Sequence, residues 1–156
     1  MNNAELETVT SKARLRLWLR LLKAQRRIES ILRDRLRAEF ASTLPRFDVM
    51  AALDHAPDGL RMSGLSAVLK VSNGNVTGIV ERLVENGQVE RISVPGDRRA
   101  MQVRLTANGR DQFKKLAATH ESWVSELLDQ FSAAEAEKLC ASLETLSDTL
   151  DEETTP

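Results

Sequence analysis

Between Ser72 and Thr77 the chain reads Ser-Asn-Gly-Asn-Val-Thr, a cluster of small side chains that both donate and accept hydrogen bonds. If a helix starts there, Ser72, Asn73, Asn75 and Thr77 sit on its first turns, and Arg82 lies one further turn along. Amide side chains in that position match adenine edges in a major groove, and N–H groups at a helix start hold phosphate. Gly74 and Gly78 are four residues apart, hence on one side, where they let backbone approach closely. The same residues also suit an ordinary capped helix start. Further on, Pro95-Gly96-Asp97-Arg98-Arg99 has the composition of a hairpin turn. Arg98 and Arg99 on such a tip suit the narrow, negative minor groove, and Asp97 can orient one of them through a salt bridge. Taken alone, two arginines on a turn are solvated charge.

Other chemistry is poorly represented. There is one cysteine, Cys140, so an intramolecular disulfide and a Cys-rich zinc site are excluded. His55 and His120 stand apart from any cluster at ligand spacing, and no metal is expected. No Gly-rich phosphate loop, nucleophile elbow or paired catalytic carboxylates are present, so an enzyme is not expected. Aromatic residues make up 4% with no tyrosine, too few for the stacking platforms of single-strand and RNA binders. Apolar runs are far shorter than a membrane span requires, and a cytoplasmic location is the expectation.

The 156 residues carry a formal net charge of −1, which on its face disfavours an anionic partner. The charge is segregated, however. Residues 12–46 are net +8, residues 59–110 net +4, and residues 111–156 net −8. Local field decides whether a polyanion binds, and the total hides it.

The elements that must position these groups follow from periodicity. Residues 10–40 lack Gly and Pro and repeat apolar residues at helical steps, predicting one long helix. A second helix begins near Pro45, and a short third spans about Ser63–Val71. The fourth runs from about Asn73 to Asn86, with Val76, Ile79, Val80 and Leu83 inward, Ser72 as its cap and Gly87 as its stop. Residues 88–94 and 100–105 alternate like strands. A helix capped by Thr106 should reach about Phe131, and a last helix starts at the capping-box spacing Ser132–Glu135, leaving a frayed tail from Asp151. The expected fold is mainly α with a small β-hairpin wing: a winged helix-turn-helix over residues 45–105. Long helices at 10–44 and 106–150 are too apolar on one face to stand alone.

The stretch from Leu60 to Arg110 resembles the MarR family of bacterial transcriptional regulators. Specific parts of the match are the Asp97-Arg98-Arg99 triplet, the Leu105-Thr106 pair followed by Gly109, and the spacing of Gly87, Val89 and Arg91. The resemblance implies a homodimer on double-stranded DNA, with two recognition helices in successive major grooves of a pseudo-palindrome. Asn73, Asn75, Thr77 and Arg82, with Ser72 at the start, would then meet the major groove, and Arg98 and Arg99, positioned by Asp97, the minor groove. Leu15, Leu127, Leu128, Phe131, Leu139, Leu143 and Leu146 are the candidate dimer residues.

Thr43–Leu53, Ser72–Val80 and His120–Val124 are further similar to a branch of that family controlling aromatic-acid catabolism, which implies repression relieved by an aryl-CoA thioester or aromatic acid. The residues are compatible with such an effector. Arg16, Arg20, Lys23, Arg26 and Arg27 crowd the first helix and suit CoA phosphates. Trp18, Leu22, Phe47, Met50 and Trp123 are candidates for the apolar end. A solvated basic face or extra DNA-backbone contacts explain the same run of cations, and a protein-contact role, another small molecule or an oxidant sensed at Cys140 remain the alternatives.

Overall fold

The computed structural model describes residues 3–69 and 73–154. In chain order these form α1 (Asn3–Phe40), α2 (Leu44–Asp54), β1 (Leu60–Arg61), α3 (Met62–Leu69), α4 (Asn73–Glu85), β2 (Val89–Val94), β3 (Asp97–Leu105), α5 (Ala107–Leu127) and α6 (Ala133–Thr154). The chain divides into two compact units, Met1–His120 and Glu121–Pro156. The fold is mainly helical with a small antiparallel sheet, in strand order β1-β3-β2.

Each boundary has a local cause. Ala41 closes α1 in the left-handed region, at φ +48°, and the Ser42 N–H returns to the Leu36 carbonyl. The Thr43 hydroxyl accepts the Arg46 N–H and caps α2, with Pro45 in the first turn where a missing N–H costs nothing. Gly87, at φ +68°, ends α4: its N–H reaches the Val84 carbonyl and the Gln88 N–H reaches Leu83, the paired bonds of a Schellman stop. Ser132 and Glu135 cap α6 reciprocally. The Ser132 hydroxyl and backbone N–H both donate to the exposed Glu135 carboxylate and hold its pKa below the ordinary value.

The core of the first unit joins α2, α3, α4, the sheet and α5. Val49, Met50, Leu53, Leu65, Val76, Val80, Leu83, Val89, Val103, Leu105 and Phe113 form one buried cluster. Ile79, partly buried, packs against it, so the inward stripe of α4 matches the periodicity. In the second unit the capping box starts α6, whose Leu139, Leu143, Leu146 and Leu150 are exposed.

Several boundaries differ from expectation. β1 adds a third strand, pairing Leu60 with Val103 and Arg61 with Gln102; two residues carry no readable alternation. The hairpin loop is only Pro95-Gly96, because Val94 already pairs with Asp97; Pro95 fixes its own φ and Gly96 takes φ +82°. Thus Asp97 and Arg99 lie in β3 instead of in the turn. α5 ends at Leu127, before Phe131, and α6 continues through the acidic residues to Thr154 instead of fraying at Asp151.

One joint ties these elements together. The Thr106 N–H donates to the Gln88 carbonyl, its hydroxyl donates to the Gly87 carbonyl and also accepts the Gly109 N–H. A Cβ on Gly109 would stand 1.9 Å from the Gln88 carbonyl oxygen. Because that neighbour is backbone, it cannot rotate away. Gly109→Ala should therefore lower unfolding free energy by roughly 3 kcal/mol. Gly64→Ala, on the open side of α3 with nothing within 4 Å, should change it by less than about 1 kcal/mol. Urea titration of both variants is the measurement, and equal loss in the two would refute this account of the joint.

Candidate nucleic-acid interface

α4 sets the geometry. Val76, Val80 and Leu83 are buried, so the opposite side of the helix faces out. At about 100° per residue, Gly74 and Gly78 occupy the middle of that outer side. Both have open space where a Cβ would stand. Asn75 and Arg82 fall on one flank, Thr77 and Glu81 on the other, and all four are exposed. Asn73 opens the helix, and Ser72 lies outside the described residues. The candidate groove-reading residues from Asn75 to Arg82 therefore sit on one exposed helix surface.

The cations here are held by carboxylates. Arg82 pairs with Glu85 at 3.0 Å, both side chains more than 60% exposed. Arg91 on β2 reaches Glu81 at 3.9 Å and links the sheet to α4. Across the wing Arg104 meets Glu90, its direct cross-strand partner, at 2.7 Å. The Asp97 carboxylate accepts the Arg99 backbone N–H at 3.0 Å, which orders the chain beyond the tip. Arg99 is exposed on β3, and Arg98 follows Asp97 in the same strand.

The effector candidates separate into groups. Leu22, Lys23 and Arg27 come together with Leu19 and Arg26 in an open groove of about 420 Å³ on α1. Arg16 lines a second groove of about 330 Å³ with Val9, Lys12 and Leu15. Trp18 and Arg20 are exposed on the same helix. Phe47 and Met50 are on α2, outside both grooves; Met50 is 1% exposed in the core. Trp123 belongs to the second unit. Among the dimer candidates, Leu15, Leu128, Phe131, Leu139, Leu143 and Leu146 are large apolar side chains exposed to solvent, and Leu127 is half-buried.

A ring stack invisible in the sequence joins α2 to α5. Phe47 stacks on His120 at 4.4 Å and meets Phe113 at 5.6 Å. Burial pulls the His120 pKa below its ordinary value, with Asp48 pulling the other way. Burial pushes Asp48 up, against the opposing effect of His120, and Glu29 adds to the rise.

Residues 43–100 match the model of the MarR family. A MarR family transcriptional regulator from Silicibacter pomeroyi is 33% identical, superimposes with a TM-score of 0.75, and is aligned over 90% of this chain and 97% of its own. The chain belongs to the MarR family. It is also similar to the transcriptional regulator PecS of Dickeya dadantii, 27% identical over 70% of this chain and 68% of that protein. A mutant MarR from E. coli, solved in complex with operator DNA, is 26% identical with a TM-score of 0.70, over 83% of this chain and 92% of its own. This MarR-type chain is accordingly a DNA-binding transcriptional regulator, and among the described residues no helix is long and apolar enough to cross a membrane.

Glu85→Gln frees Arg82 and removes a negative charge beside the groove, so binding to duplex DNA should tighten about three-fold at low salt. Unchanged or weaker binding in an anisotropy titration would contradict it. His120 binds its proton better unfolded than folded. Its contribution is therefore neutral above about pH 6.5 and increasingly destabilising as pH falls below it. Asp48 has the opposite sign, since its protonation relieves a folded-state penalty, but in the lower carboxylate range. Urea unfolding between pH 7.5 and 5.5 should thus show stability falling with pH, and His120→Gln should flatten that slope; an unaltered slope would exclude the histidine as its source.

Proposed function

We propose that this MarR-family chain is a homodimeric repressor released from a pseudo-palindromic operator by an aryl-CoA thioester or a related aromatic acid. The DNA half of the reading rests on α4. Its outer side has two glycines at the centre and Asn75, Thr77 and Arg82 beside them, while its inner side is locked into the core. Asn73, Asn75, Thr77 and Arg82 are assigned to base edges and phosphates of the major groove, with Ser72 at the helix start. Arg98 and Arg99 are assigned to the minor groove, with Asp97 ordering the strand that carries them. The exposed leucines of α1 and α6 are assigned to the second copy, whose two-fold symmetry dictates the palindrome.

The effector half rests on the α1 groove, where Leu19 and Leu22 adjoin Lys23, Arg26 and Arg27. Apolar surface beside several cations suits a ligand with an aryl end and phosphates. Release follows by either of two routes. Bound phosphates cancel positive field that attracts DNA, or the ligand favours a dimer geometry that does not fit the operator.

Asn75→Ala should weaken binding to the footprinted operator by about 5–100-fold and leave binding to scrambled duplex within a factor of two; equal losses on both would remove Asn75 from base reading. For the effector, hydroxycinnamoyl-CoA should raise the thermal midpoint in a concentration-dependent way. Lys23→Ala/Arg27→Ala should reduce its affinity at least ten-fold. No shift with the thioester would sink the effector assignment and leave DNA binding untouched.

A further inference from the structure

A cleft of about 760 Å³ runs between the start of α2 and one flank of α4. Arg46 and Asp48 stand on its α2 wall, and Asn75, Gly78 and Arg82 on its α4 wall. We propose that this cleft seats the sugar–phosphate backbone at one edge of the major groove, with Arg46 as a phosphate contact that completes the grip on the recognition helix. The proposal rests on the reading of α4 as the groove-inserted helix.

The argument is one of flanks. A B-form major groove is about 12 Å wide, so a helix lying in it has a phosphate strand along each side. The sheet-side flank of α4 carries Thr77 and Glu81, with Arg91 beside them. The opposite flank carries Asn75 and Arg82, and the neighbouring surface on that side is the first turns of α2. A strand following the groove edge there passes between Arg82 and Arg46. The two guanidiniums differ in their present state. Arg82 is paired with Glu85, whereas among the described residues Arg46 has no ion-pair partner; its backbone N–H donates to the Thr43 hydroxyl. Its positive charge is therefore available to an external anion.

The shape of the walls agrees. Gly74 and Gly78 lower the α4 wall, and Pro45 and Ile79 offer apolar surface suited to deoxyribose. Asp48 is the one carboxylate among the described residues lining the cleft, and burial raises its pKa. Arg46 also borders a second cleft of about 540 Å³, which holds Glu39 and Lys115, so it stands on a ridge reachable from solvent.

The test uses the full-length protein and two duplexes, the footprinted operator and a mixed-sequence 40-mer (roughly four helical turns), titrated by anisotropy across a salt series. Each lost phosphate contact lowers the slope of log K against log salt by about 0.9, so Arg46→Gln should lower it by about 1.8 per dimer. The loss should be equal on both duplexes. Arg46→Lys should restore the slope, and Arg46→Met, which keeps the aliphatic stem, should behave like Arg46→Gln. Circular dichroism melts verify that the variants are folded. A slope unchanged in folded Arg46→Gln and Arg46→Met overturns the proposal, as does a loss confined to the operator. Absence of salt-dependent binding by the parent protein to either duplex would overturn the groove-inserted reading of α4, a result separable from the Arg46 outcome.

Discussion

The contact on which most of the reading head depends is the backbone junction between the end of α4 and the beginning of α5. Gln88 supplies its carbonyl to the Thr106 N–H, Gly87 supplies its carbonyl to the Thr106 hydroxyl, and the same hydroxyl caps α5 through the Gly109 N–H. Four element ends meet there: the stop of α4, the start of β2, the end of β3 and the first turn of α5. Capping alone contributes on the order of 1 kcal/mol. Its larger effect is geometric. The close approach requires a glycine at 109 and a left-handed residue at 87, so the axis of α4 is fixed relative to the wing by backbone and not by exchangeable side chains. A helix whose direction is set that way keeps its aim whatever side chains stand on its outer side.

Electrostatics in this region follows a second constraint. The near-zero net charge is the cancellation of a basic first third and an acidic last third. On the reading head itself, cancellation is repeated at shorter range: Glu85 occupies Arg82, Glu81 approaches Arg91, and Glu90 holds Arg104. Exposed pairs of this kind contribute little to stability. They do lower the positive field around α4 and the wing that a random stretch of duplex meets. Weak attraction to arbitrary DNA leaves a larger share of affinity to hydrogen bonds at base edges, which favours discrimination over strength.

The parts of this organisation that are local in sequence were legible there. The helices follow from 3.6-residue periodicity, the stop of α4 from Gly87, the caps from Thr106 and Ser132, and the inward stripe from Val76, Ile79, Val80 and Leu83. The strand β1 was not, since Leu60-Arg61 is too short to alternate and exists only because β3 offers it a partner edge. The sequence suggests a longer hairpin turn because Asp97 is a common turn residue; pairing with Val94 overrides that preference. Met50 shows the limit for site residues. Its apolar character fits a ligand pocket or a core equally, and only packing decides for the core. The Phe47–His120 stack and the Arg46–Arg82 cleft likewise arise from tertiary placement of α2, which no spacing rule encodes.

That placement packs α2 against α1, against α4 and, through Phe47, against α5. α1 buries Leu32 and Leu36 within the first unit, and α2 buries Val49, Met50 and Leu53 in the cluster that also holds α4. On its other side α2 meets α5 through Phe47, Phe113 and His120. A ligand on α1 alters DNA affinity only to the extent that it binds the fitting and non-fitting arrangements differently. Packed interiors are poorly compressible, so a displacement of α1 or α5 is passed to α2 as a rigid shift more readily than absorbed. Because α2 also forms one wall of the cleft beside Asn75 and Arg82, such a shift changes the width available to whatever lies along that flank of α4. The geometric release proposed above would therefore need no motion within α4 itself, only movement of the α2 wall opposite it.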